Sequence, residues 1–175
     1  LLDDGALSFT NVATVSVTDY RGTIGVNTGV ETFTGTDIAF LTVDSGADDL
    51  TTITADMKRD DEPSLSAAAT LALAYDASSN NGDISLSGLA NLTTATISGD
   101  AGDIVISSNP NLTTVTISGV TGDINIDQNP NLETVTVTGT AKDFYLVDND
   151  NMTSVTVTGA DFSDVEVSGH ADLVT

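Results

Sequence analysis

Four Asn-Leu/Met dipeptides stand 20 residues apart, at Asn91-Leu92, Asn111-Leu112, Asn131-Leu132 and Asn151-Met152; a fifth equivalent, Asp172-Leu173, comes one residue late. This period constrains the fold more than any other feature of the chain. A unit of about 20 residues cannot close a core alone and must bury its apolar side against its neighbours, which is the logic of a solenoid.

Within the unit 112–131, Leu112, Val115 and Ile117 alternate with Thr114, Thr116 and Ser118, the pattern of a half-buried strand. Gly119 and Gly122 bracket a turn, Ile124-Asn125-Ile126 forms a second alternating segment, and Asn129-Pro130-Asn131 turns the chain into the next unit. Each coil therefore has two short strands and two turns. Stacked coils make two parallel sheets around a thin apolar interior, with right-handed crossovers expected. The inward columns read Ala95/Val115/Val135/Val155 and Ile97/Ile117/Val137/Val157 on the first side. On the second they read Ile84/Ile104/Ile124/Phe144 and Leu86/Ile106/Ile126/Leu146, with Val165 and Val167 one residue late.

The first half reads as the same solenoid in degenerate form. Val12, Val15 and Val17 match the first strand and Ile24 and Val26 the second; Val30 and Phe33 restart the pattern. Asp37-Ile38-Ala39-Phe40 matches Asp123 to Ile126, and residues 49–55 copy 111–117. The expected architecture is all-β: a parallel two-sided β-solenoid of about eight coils in one domain over 1–175. It comprises degenerate coils over 1–55, an inserted loop or disturbed coil over 56–81, and regular coils over 82–175. The charge run Lys58 to Pro63 reads as an exposed loop. Leu71 to Tyr75 alternates as a strand, although its alanines also suit a short helix.

Composition narrows the partners. The 175 residues hold 26 acidic and 4 basic residues, a net charge of -22. That balance argues against nucleic acid and anionic membranes, which need basic patches. It fits salt-rich surroundings, where screening reduces self-repulsion, and equally a merely soluble acidic surface. There is no cysteine, and no apolar run long enough to span a bilayer, so membrane insertion is not expected. The chain opens on Leu1 without a recognisable leader and ends at a new Leu-Val step; it reads as a processed form or a piece of something longer.

Three polar columns run along the coils. Asn109, Asn129 and Asn149, with Asn111, Asn131 and Asn151 two residues on, are expected to hydrogen-bond along the stack and to turn backbone. Asp83, Asp103, Asp123 and Asp143 form an acidic column, where like charges about 4.8 Å apart need N–H donors or a cation. Calcium is the cation such oxygens would suit, with Asp103, Asp123, Asp143 and the local pair Asp148 and Asp150 as candidate ligands. The third column is hydroxylic. Thr94/Thr114/Thr134/Ser154, Thr96/Thr116/Thr136/Thr156 and Ser98/Ser118/Thr138/Thr158 face outward from the first strand. A plain solvated face accounts for it, since threonine favours strands. Its regularity also resembles the ice-binding faces of some antifreeze proteins, and it offers a surface for glycan or for another copy of the chain.

Asn91, Asn111 and Asn151 open formal glycosylation sequons, which the repeat itself generates. No Ser/His/Asp set, His pair or phosphate loop is present, and the single histidine, His170, falls in an expected surface turn. An enzyme is therefore not expected; carboxylates such as Asp148 and Asp150 leave only a glycan-cleaving alternative.

The segment Ile124 to Val135, with Asn129-Pro130 and Leu132 at its centre, resembles the Ile-x-Ile-x-x-Asn-Pro-x-Leu-x-x-Leu unit of leucine-rich-like L domains of receptors and cell-surface proteins. The likeness covers residues 82–159. It implies an extracellular setting and a binding or scaffolding role. The coil is only 20 residues and the family's cysteines are absent, so no binding residues transfer. The sequence thus points to a non-enzymatic structural protein of the cell surface, self-associating through solenoid ends or faces into a filament, surface layer or adhesive matrix. The alternative is a module using the Thr-rich face to bind glycan, calcium or ice.

Overall fold

A computed structural model describes residues 5–43, 50–57, 64–65, 70–75, 83–120, 122–159 and 162–170. Among the described residues fifteen parallel strands and no helix are found, and the strands stack into a β-solenoid of about six turns. They are β1 (Ala6–Phe9), β2 (Thr14–Val26), β3 (Thr32–Val43), β4 (Thr52–Met57), β5 (Ser64–Leu65), β6 (Thr70–Tyr75), β7 (Ile84–Ser87), β8 (Thr94–Gly99), β9 (Ile104–Ser107), β10 (Thr114–Val120), β11 (Ile124–Asp127), β12 (Thr134–Thr140), β13 (Asp143–Val147), β14 (Ser154–Thr158) and β15 (Asp164–Ser168). The first sheet runs β1-β2-β3-β4-β6-β8-β10-β12-β14 with β5 on β3; the second runs β15-β13-β11-β9-β7.

Eight coils were expected, and the solenoid makes about six turns. Residues 58–63 and 76–82, which follow β4 and β6, lie outside the described residues. The Lys58 to Pro63 loop expectation lies there too. The segment 71–75 is strand, as its alternation predicts: Leu71 pairs with both Ile53 and Ala95, so a coil that looked disturbed still carries the first-side strand.

The regular coils match their pattern closely. Leu92, Leu112, Leu132 and Met152, and the inward columns from β7 to β13, are buried. Burial of each such side chain is worth roughly 1.5–3 kcal/mol, and every coil covers the next. The column ends at β14 and β15. Val165 and Val167 pair in register with Phe144 and Leu146, yet are 58% and 41% exposed, since among the described residues only the β13 coil packs on them. Phe162 packs on the buried Phe144 with ring centroids 6.0 Å apart.

The first coils turn their corner differently. β2 and β3 are continuous through it, and their register shifts between Tyr20 and Thr23. β1 pairs with Thr23–Val26 and β5 with Thr42 and Val43, so the second side here belongs to the same sheet. Two expectations change as a result. Ile24 and Val26 pair with Leu41 and Val43, so the second side starts three residues later than the match of Ile38 and Phe40 to Ile124 and Ile126 implied. Ile38 is buried beside the bend instead. Val12, read as the first Leu-type position, is 44% exposed.

Candidate functional site: the hydroxyl face of the first sheet

Strand pairing fixes which side chains share a face. Along the first sheet the register joins Thr14, Thr32, Thr52, Thr70, Thr94, Thr114, Thr134 and Ser154 in one file. It joins Ser16, Thr34, Thr54, Ala72, Thr96, Thr116, Thr136 and Thr156 in the next. Eight strands therefore carry two adjacent files in which fifteen of sixteen positions are Thr or Ser. The register shifts near Tyr20 and Ile38 fall beyond both files. The sequence showed only the C-terminal half of this array.

The described members of both files are exposed or half-buried, while Val15, Phe33, Ile53, Ala95, Val115 and Val135 between them are buried. Strand geometry sets the array: about 4.8 Å between strands and about 6.6 Å between alternate residues. The third file is shorter. Ser98, Ser118, Thr138 and Thr158 continue it, but Asp56 and Ala74 occupy its register positions on β4 and β6.

The neighbouring edge behaves differently. Thr51, Thr113 and Thr153 donate their hydroxyls to the carbonyls of Glu31, Thr93 and Glu133 one coil back. That column is structural, and Glu31 and Glu133 stand in it, one residue before Thr32 and Thr134. Outward positions of the second sheet show no comparable order: Ser85, Val105, Asn125, Tyr145 and Glu166 form one file, and Ser87, Ser107, Asp127, Val147 and Ser168 the other.

The acidic column uses its oxygens internally. Asp83, Asp103 and Asp143 accept the backbone N–H of Asp103, Asp123 and Asp164 at 2.9, 2.8 and 3.1 Å. Asp123 Oδ1 is instead 3.5 Å from Lys142 Nζ and has no hydrogen-bond partner among the described residues. Asp123 above all, then Asp143, holds the Lys142 ammonium above the ordinary lysine value. Asp143 does the same to the Tyr145 phenol. Asp148 occupies a left-handed turn position (φ 53) shared with Ser108 and Gln128, and its N–H donates to Ser168 O. Asp150 is exposed two residues on. Among the described residues no group of three or more His, Asp or Glu side chains is placed to hold a metal ion.

The asparagine columns divide. Asn109, Asn129 and Asn149 are fully buried. Each Oδ1 accepts the backbone N–H of the previous coil, from Leu89, Asn109 and Asn129. Each Nδ2 donates to Leu86, Ile106 or Ile126 O. Asn111 and Asn131 are exposed and bond to Ala90 O and Pro110 O, and Asn151 to Asn131 Oδ1. His170, expected in a surface turn, is half-buried as the last rung: Nε2 is 3.0 Å from Leu146 O, in the place of an Asn Nδ2, and Nδ1 is 3.0 Å from Asn149 O. His170→Ala should cost about 1–2 kcal/mol in urea denaturation, and His170→Asn clearly less, because an Asn fills this place in three earlier coils.

Comparison with protein-family models, curated proteins and solved structures finds no match.

Proposed function

We propose that this chain is a non-enzymatic binding module whose first-sheet face docks on an extended, ordered, uncharged surface. One observation carries the reading: two hydroxyl files run in register across eight strands, including coils whose turns and polar ladders have otherwise diverged. Strand propensity alone would give the mixed composition of the second sheet, which is built from the same coils. No charged residue enters either file, in a chain of net charge -22. The acidic residues lie elsewhere and keep the molecule soluble. Threonine is stiff at χ1, so the face meets a partner with little side-chain ordering cost. An extracellular or surface-displayed setting goes with this role.

The test compares two faces of one fold. Thr116→Glu with Thr136→Glu should lower retention on ice or crystalline polysaccharide at least tenfold. The second-sheet pair Ser85→Glu with Asn125→Glu should leave it near that of the parent. Equal retention of both pairs, with melting curves intact, would sink the proposal.

A further inference from the structure

We infer that the surface this face recognises is ice. The inference rests on the face being the binding surface and adds the identity of what it binds. Ice, crystalline polysaccharide and mineral are all extended and ordered, and the composition of the face separates them.

Mineral and other ionic lattices are bound through charge, and neither file contains any. Crystalline polysaccharide is gripped mainly by aromatic rings lying on sugar faces, and no aromatic residue stands in either file. The three tyrosines stand outside both files: Tyr20 at the first corner, Tyr75 at the end of β6 paired with Met57 and Gly99, and Tyr145 on the second sheet. What the files offer is a methyl and a hydroxyl at each threonine, repeated in two dimensions. Along the stack the repeat is about 4.8 Å, close to the oxygen repeat on the a axis of hexagonal ice. Along the strand it is about 6.6 Å, a little short of the c-axis repeat. The prism faces of ice present both axes, so they are the planes this array fits.

Size favours ice as well. Seven strand spacings of about 4.8 Å give a face about 34 Å long. No single ice-ordered water is bound tightly, and retention grows with the number of positions engaged at once. The hydroxyls of Thr94, Thr96, Thr114, Thr116, Thr134, Thr136 and Thr156 make no hydrogen bond to other protein groups among the described residues, unlike those of Thr113 and Thr153. They are left to order water in the pattern the backbone sets.

The experiment uses the whole chain, with thermal hysteresis and labelling of a single-crystal ice hemisphere as readouts. Retention on microcrystalline cellulose and chitin is measured in parallel. Thr116→Tyr and Thr136→Tyr are the face variants and Asn125→Tyr the control, each checked by its melting curve. The expected result is hysteresis with prism-plane labelling for the parent and control, and at least a tenfold loss in both face variants. Absence of hysteresis and ice labelling overturns the inference. If retention on cellulose or chitin then depends on Thr116 and Thr136, the binding face stands and only ice falls; if no surface is bound, both fall. Hysteresis unchanged in the face variants also overturns it.

Discussion

Gly139→Ala will cost about 4 kcal/mol or more and lower the melting midpoint by roughly 10 °C. Gly139 has φ +145, and a Cβ there would lie 1.9 Å from the carbonyl oxygen of Gly119 in the coil below. Gly119 and Gly159 repeat the geometry, so each glycine carbonyl fills the space a neighbour's side chain would need. The obstacle is backbone, which cannot swing aside without breaking the register of β10 and β12. Gly88 is the internal control. It also has positive φ (+68), but no described residue lies within 4 Å of its Cβ position. Gly88→Ala should lose only about 1–2 kcal/mol, the left-handed penalty alone. Equal losses at the two positions in thermal or urea denaturation would contradict the close coil contact.

Asn129→Leu should destabilise by about 4 kcal/mol or more although it keeps the branched shape of the side chain. Asn129 Oδ1 accepts from Asn109 N and Nδ2, while its Nδ2 donates to Ile106 O, Asp127 O and Asn149 Oδ1. Leucine satisfies none of these, and each buried group left unpaired costs about 1–3 kcal/mol. Asn129→Asp would keep the acceptor for Asn109 but bury a charge and lose the donors, so it offers no rescue. Asn131→Ala, two residues away on the exposed column, should cost about 1 kcal/mol, since water replaces its bond to Pro110 O. Urea denaturation of the three variants measures the contrast.

These two columns show where sequence reasoning reaches. Both asparagine ladders were visible, as was their bonding along the stack, because a strict 20-residue period puts like on like. Which ladder is buried was not, since both sit within one turn, and two residues decide which way each points. The inward columns of β7 to β13 were readable because alternation there is strict. The acidic column found the amide partners expected for Asp83, Asp103 and Asp143, whereas the pairing of Asp123 with Lys142 depends on how the next corner folds. The one-residue lengthening of the last coil was visible in Val165 and Val167; what hid the place of His170 is that a histidine, not an asparagine, fills the rung there.

The N-terminal half of the hydroxyl face was missed for a related reason. Successive file members are separated by 18 residues from Thr14 to Thr32, 20 to Thr52, 18 to Thr70 and 24 to Thr94. The strands pair residue for residue while the corners absorb the differences, so no fixed period finds the array. Backbone pairing specifies the face; coil length does not.

The most direct measurement of the binding account therefore places bulk in that N-terminal half. Thr34→Tyr and Thr54→Tyr, far from the regular repeats, should weaken retention on ice about as much as Thr116→Tyr, because all three interrupt one continuous file. If Thr116→Tyr abolishes retention while a folded Thr34→Tyr, Thr54→Tyr double variant binds like the parent, the face does not act as one surface across eight strands.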